Sequence, residues 1–155
     1  MNVQSNNGKI TAPTFSANAE LSNDARKSFV LRGEHNRKWT AENPNNHVGI
    51  CLKIDGGLIA NSNQSKCDGG LLLDDNRLYL VEFKGKAYDT AATQLIKTKE
   101  YFKKNYGNYD LIFYARIVGK SFPKAPTSLQ KAKRDLKGEF DDKFKLFEKD
   151  GKETV

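Results

Sequence analysis

The chain has 155 residues, 37% of them hydrophobic, which is enough apolar side chain for one compact domain and too little length for a second independent one. Its 26 Lys and Arg against 19 Asp and Glu leave a formal charge of +7, which favours polyanionic partners because each neutralised phosphate releases condensed counterions. Cys51 and Cys67 form no CxxC pair and only two histidines are present, which argues against a disulfide framework and a zinc site and makes a reducing, cytoplasmic setting the expectation.

The opening MNVQSNNGKI lacks the apolar run of a signal peptide, and nowhere do the ~18 apolar residues of a membrane span run together, so neither export by that route nor membrane insertion is expected. Residues 1–15 are polar, include Pro13, and read as a loose arm or an edge strand. Over 17–32, Leu21, Ala25, Phe29 and Arg32 recur at helical spacing before Gly33, which predicts a first helix. The stretch EHNRKWTAENPNN, 34–46, is polar around Trp39, is closed by Pro44, and is expected to be a loop. HVGICLKI, 47–54, predicts a strand, with Asp55-Gly56-Gly57 as turn chemistry after it.

Residues 66–73 and 77–84 predict a hairpin with Asp74, Asp75 and Asn76 at its tip. From Asp89 to Tyr106, Ala92, Leu95, Ile96, Lys99 and Phe102 mark one helical face, ended by Gly107 and Asn108. YDLIFYARIVG, 109–119, is an apolar run suited to a strand covered on both faces. Thr127 and Gln130 stand at capping-box spacing after Pro126. With Leu129, Ala132, Leu136, Phe140, Phe144 and Phe147 they predict a terminal helix over 127–149. The expected fold is α/β, a single domain over 1–155. Its mixed central sheet is an antiparallel meander plus a parallel crossover strand, flanked by helices.

The hairpin carries the chemistry. Glu82 and Lys84 are two apart on a strand, so they leave one face, and they interrupt LYLVEFKG, a run otherwise apolar enough for a central strand. A divalent metal with hard oxygen preference needs one or two such carboxylates plus substrate phosphate, and a neighbouring lysine can orient the attacking water. Asp68 joins them only if the register allows. A two-residue loop, Asp75-Asn76, sets Asp68 opposite Phe83, on the wrong face. A three-residue loop with Asn76 left-handed pairs Leu73 with Arg77 and sets Asp68 opposite Glu82; a bulge at Gly69 or Gly70 corrects the parity equally well.

With Asp68, Glu82-Phe83-Lys84 and the helical Gln94, the chain resembles the PD-(D/E)xK nuclease superfamily over roughly residues 17–118. The resemblance implies a restriction-endonuclease-like core. It also implies Asp68 and Glu82 as ligands of Mg²⁺ or Mn²⁺, Lys84 as the residue that orients or activates water, and Gln94 as a supporting contact. Cys67 stands where the family name has proline. Some members carry a metal-facing glutamate on the first helix, a place Glu20 or Glu34 could take.

The implied activity is metal-dependent phosphodiester hydrolysis, in DNA more than RNA, with a homodimer expected for double-strand cleavage. Two readings compete: a non-catalytic module of the same fold that binds DNA or a protein, such as an immunity protein, and a toxic effector nuclease with a protein partner. Basic residues on the second helix (Lys97, Lys99, Lys103, Lys104) and on the last (Lys131, Lys133, Arg134, Lys137) are candidate contacts to a phosphate backbone. His35 and His47 are read as surface or structural, and no Gly-x-Ser-x-Gly elbow or P-loop is present.

Overall fold

The computed structural model describes residues 1–84, 87–121 and 127–155. In chain order the elements are β1 (Gln4–Asn6), β2 (Lys9–Ala12), β3 (Glu20–Asp24), β4 (Ser28–Arg32), β5 (Lys38–Glu42), β6 (Gly49–Lys53), β7 (Gly69–Leu73), β8 (Arg77–Lys84), α1 (Tyr88–Asn105), β9 (Ile112–Gly119), α2 (Thr127–Phe140), β10 (Phe144–Glu148) and β11 (Gly151–Thr154). A mixed six-stranded sheet runs β10-β9-β8-β7-β6-β3, and a second sheet of three strands runs β11-β5-β4. The antiparallel meander β6-β7-β8 and the parallel pair β8-β9, with α1 between them, are as the sequence predicts.

Strand alternation divides the core in two. Along β8, Leu78 and Leu80 pack with Leu95, Phe102, Leu129 and Leu136 of the two helices, while Tyr79, Val81 and Phe83 pack with Phe29, Leu31 and Trp39 of the second sheet. Helices therefore cover one face of the main sheet and strands cover the other. The expectation of helices as the flanking layers holds for one face only.

The predicted helix over 17–32 is instead β3, a turn and β4, and the predicted loop over 34–46 contains β5. Helical spacing of Leu21, Ala25, Phe29 and Arg32 was coincidental. The governing pattern is period two, since Phe29 and Leu31 on β4 and Trp39 and Ala41 on β5 are all buried, between residues that are less so. The terminal helix over 127–149 stops at Phe140, and Asp141 turns left-handed at φ 54°. Phe144 and Phe147 lie on β10 and pack into opposite clusters, as residues three apart on a strand must. Thr127 opens α2, whereas Pro126 lies outside the described residues.

The first residues are not a loose arm. β1 and β2 form a hairpin that buries Val3 and Ile10, and Asn23 bonds both the N–H and the C=O of Ile10 through its side-chain amide. The amide of Val3 donates to Asn76 Oδ1 at 2.7 Å, tying the N-terminus to the β7–β8 turn. Among the described residues, no helix is long and apolar enough to cross a membrane.

Candidate active site

The β7–β8 turn decides where Asp68 goes. Asn76 has φ 75°, its N–H closes on the Leu73 carbonyl at 3.2 Å, and the ladder pairs Leu72 with Leu78, Leu71 with Tyr79 and Gly69 with Val81. This is the three-residue loop. Continued by one residue, the same register sets Asp68 opposite Glu82. No bulge is needed at Gly69 or Gly70. Those glycines answer crowding within the sheet: a Cβ on Gly70 would stand 3.1 Å from the Tyr79 carbonyl oxygen, and one on Gly69 would stand 3.0 Å from that of Leu52.

Asp68 is held at both ends. Its carbonyl accepts from the amide of Ile54 at 3.0 Å, and its Oδ2 accepts from the amide of Phe83 at 2.8 Å. Just before it, the Cys67 amide donates to Thr98 Oγ1 at 2.8 Å, and Thr98 Oγ1 donates to the Gln94 carbonyl at 2.7 Å. Thr98, fully buried on α1, thus fastens the segment carrying Asp68 to the helical turn carrying Gln94. Sequence reasoning passed over it, although a threonine on an apolar helical stripe is a signal that a hydroxyl has a buried partner.

Glu82 is 2% exposed at the C-terminal end of β8. Burial, reinforced by the Asp68 carboxylate within hydrogen-bonding reach, pushes its carboxyl up to about 10, while Lys84 pulls the other way. Its Oε2 and the Oε1 of Gln94 are buried without a hydrogen-bond partner. Both residues line the same cleft, so two buried oxygens there have lone pairs that the described residues do not satisfy. Lys84 is half-buried and makes no ion pair among the described residues. Cys67, whose thiol burial pushes up, is a packing residue and not a nucleophile.

Asp68, Glu82, Lys84 and Gln94 all line one cleft of about 760 Å³. Its far wall is the β4–β5 hairpin, with Arg32, Gly33 and Arg37 among the lining residues. Reading 17–46 as helix and loop hid this wall. The alternation of Phe29 and Leu31, then Trp39 and Ala41, around the turn-forming GEHNR was the signal for it.

Glu34 and His35 also line the cleft from this turn, whereas Glu20 does not; Glu34 stands on the β4–β5 turn and Glu20 on β3, neither on a helix. None of the basic residues singled out on the two helices lines it; Lys97 pairs with Glu100, and Lys99 with Glu139. At the opposite end of the hairpin, His47, Asp74 and Asp75 bring ligand-type atoms within 4.8 Å of one another. Protein partners already occupy them: Asp74 accepts from the Val48 amide and faces His47 Nδ1, and Asp75 accepts from Arg77.

No protein-family model, no curated protein and no solved structure matches this chain.

Proposed function

We propose that this chain is a divalent-metal-dependent nuclease with a restriction-endonuclease-like core that hydrolyses phosphodiester bonds in DNA. The observation that carries the reading is the pairing of the half-buried Asp68 carboxylate with the buried Glu82 carboxyl, sharing a cleft with Lys84 and with the partnerless amide oxygen of Gln94. The donor set is all hard oxygen, as Mg²⁺ or Mn²⁺ requires, and both ions bind through one or two carboxylates while leaving room for substrate phosphate. Asp68 and Glu82 are the residues that would hold the ion, with Gln94 in support. When bound, such an ion supplies charge neutralisation at the phosphate and lowers the pKa of water.

The chain's own groups do the rest. Lys84 leaves β8 on the same face as Glu82, where its ammonium orients the attacking water and offsets negative charge gathering on the phosphate oxygens. No Ser, Thr, Tyr or Cys is among the described residues lining the cleft, so water, not an enzyme hydroxyl or thiol, forms the new P–O bond. The P–O ester bond breaks as this bond forms, and the proton given up by the attacking water ends on the leaving oxygen.

The test is cleavage of supercoiled plasmid, linear DNA, branched DNA and structured RNA with Mg²⁺, Mn²⁺ or EDTA, with Glu82→Ala and Lys84→Ala alongside. Metal-dependent cutting that both substitutions abolish supports the reading. A folded protein that neither cuts nor binds divalent metal overturns it in favour of a binding module.

A further inference from the structure

Resting on the nuclease reading, we propose that the cleft takes one strand of DNA and not an intact duplex, and that Arg32 and Arg37 hold the phosphates on either side of the reacting one.

The cleft lies between the two sheets, at the ends of β6, β7 and β8 and beside β3. Leu21 of β3 and Lys53 of β6 line it from the main sheet, and Val30 and Arg32 of β4 line it from the second. A volume of about 760 Å³ is on the scale of a small-molecule site (~300–1,000 Å³). That suffices for a short stretch of one strand. A duplex carries its second backbone across a groove ~6–12 Å wide, more than this volume holds beside the first strand, and the β4–β5 hairpin lines one side of the cleft.

The hairpin tip meets the main sheet at Phe83. The Gly33 amide donates to the Arg37 carbonyl at 2.9 Å, His35 and Asn36 stand at φ 57° and 58°, and Gly33 comes so close to Phe83 that a Cβ on it would stand 2.3 Å from the ring's Cγ. The arginines at either end of the turn are therefore positioned from the residue between Glu82 and Lys84. Elsewhere, Arg26, Arg77 and Arg116 are each held by a carboxylate within 2.8 Å. Arg32 and Arg37 have no ion pair among the described residues and line the cleft. Glu34 and Asp55 share the lining, but Asp55 stands 3.8 Å from the buried Lys66 ammonium. Guanidinium forks left open beside a phosphate-directed site match the geometry of phosphate oxygens.

Leu21 adds the apolar side. The β3–β6 register slips between Glu20 and Ser22, so Leu21 bulges from the ladder, 60% exposed, and lines the cleft together with Val30. Such a surface suits the face of an unstacked base or sugar, which a duplex keeps inside its stack.

The experiment is fluorescence anisotropy with a labelled single-stranded DNA oligonucleotide and a blunt duplex of the same sequence, in Ca²⁺ and in EDTA, across a salt series. Calorimetric Mn²⁺ titration and thermal melting accompany each variant. The single strand is expected to bind at least 10-fold tighter than the duplex. Arg32→Ala and Arg37→Ala should each weaken it ~10-fold and lower the salt slope by about 0.7, leaving Mn²⁺ binding and melting unchanged. Lys131→Ala with Lys133→Ala, on α2, should leave it unaltered. Equal or tighter duplex binding overturns the proposal, as does single-strand affinity indifferent to both arginines. Wild-type protein that binds Mn²⁺ but no single strand removes the proposal and spares the metal site, whereas failure to bind Mn²⁺ removes the parent reading too.

Discussion

Asp68 Oδ2 accepts the Phe83 amide hydrogen at 2.8 Å, so the first carboxylate is anchored on the backbone of the residue that separates Glu82 from Lys84. The bond ends the β7–β8 ladder with a side chain in place of a carbonyl, and it fixes how the three charged groups stand to one another. Asp68→Asn keeps an acceptor for that amide and loses the charge. It is expected to melt within a few degrees of wild type while Mn²⁺ affinity in calorimetry falls at least 10-fold. Asp68→Ala strands the amide and should lower stability by ~1–3 kcal/mol as well. Wild-type Mn²⁺ affinity in Asp68→Asn would remove Asp68 from the metal site.

Glu82 makes the metal-free protein less stable as pH rises. Its carboxyl titrates near 10 when folded, far above its unfolded value, so the folded state holds a proton that the unfolded state releases through the acid range. The stabilisation is full below the unfolded pKa and is lost progressively as pH rises toward 10. In EDTA at pH 8, Glu82→Gln should therefore be more stable than wild type by roughly 1–3 kcal/mol, with the advantage vanishing near pH 4. Mn²⁺ should raise the melting temperature of wild type but not of Glu82→Gln. Parallel melting curves across that pH range would count against the buried, protonated carboxyl.

A Cβ placed on Gly33 would stand 2.3 Å from Phe83 Cγ and 2.6 Å from its Cβ, so the ring cannot swing clear and the two strands must part. Gly33→Ala is expected to lift the hairpin tip from Phe83, lowering stability by ~1–3 kcal/mol and cleavage at least 10-fold. Mn²⁺ binding should persist, because the Asp68 carboxylate is held by the Phe83 backbone amide and not by its ring. Phe83→Ala in the same chain removes Cγ and Cδ2, two of the three atoms in the way, and should restore part of the cleavage, read from initial rates on labelled oligonucleotides.

Arg116 on β9 reaches across to Glu153 on β11 through Nε at 2.7 Å and Nη2 at 2.9 Å, and Glu153 also accepts from Trp39 Nε1 at 2.8 Å. This pair, 4% and 8% exposed, joins the two sheets behind the hairpin, with the guanidinium over the Tyr79 and Tyr114 rings. Glu153→Ala leaves a buried guanidinium without its carboxylate and should lower stability by ~3–5 kcal/mol in urea unfolding. Arg116→Met with Glu153→Leu removes both charges and should recover most of it. Additive losses would mean that the two groups do not act as a pair.

The candidate site was legible because its determinants are local. Asn76 tolerates a left-handed backbone, so the three-residue loop sets the hairpin register within a span of residues 68–82. The apolar stripe of α1 is set by its own 3.6-residue period, and the long apolar run of β9 can be covered only inside a sheet. Asp68, Glu82, Lys84 and Gln94 were thus placed in one cleft by turn chemistry, one helix and one crossover. Thr98 was missed because a hydroxyl on a helical stripe names no partner; the amide of Cys67 comes from another element.

The meander, the crossover and the grouping of charged residues at the end of β8 are written in local sequence, since each follows from turns and periods a few residues long. Long-range packing fixes β3, β4 and β5 within 17–46 and gives the cleft its second wall. β4 and β5 are short, and β5 gains its other neighbour from β11 at the far end of the chain, where Gly151 pairs with Trp39. A helix closes its hydrogen bonds within four residues and leaves a local trace, whereas a strand draws its bonds and its covered face from wherever the chain returns. Period-two burial of Phe29, Leu31, Trp39 and Ala41 became decisive once that returning strand and the main sheet were both present to cover them.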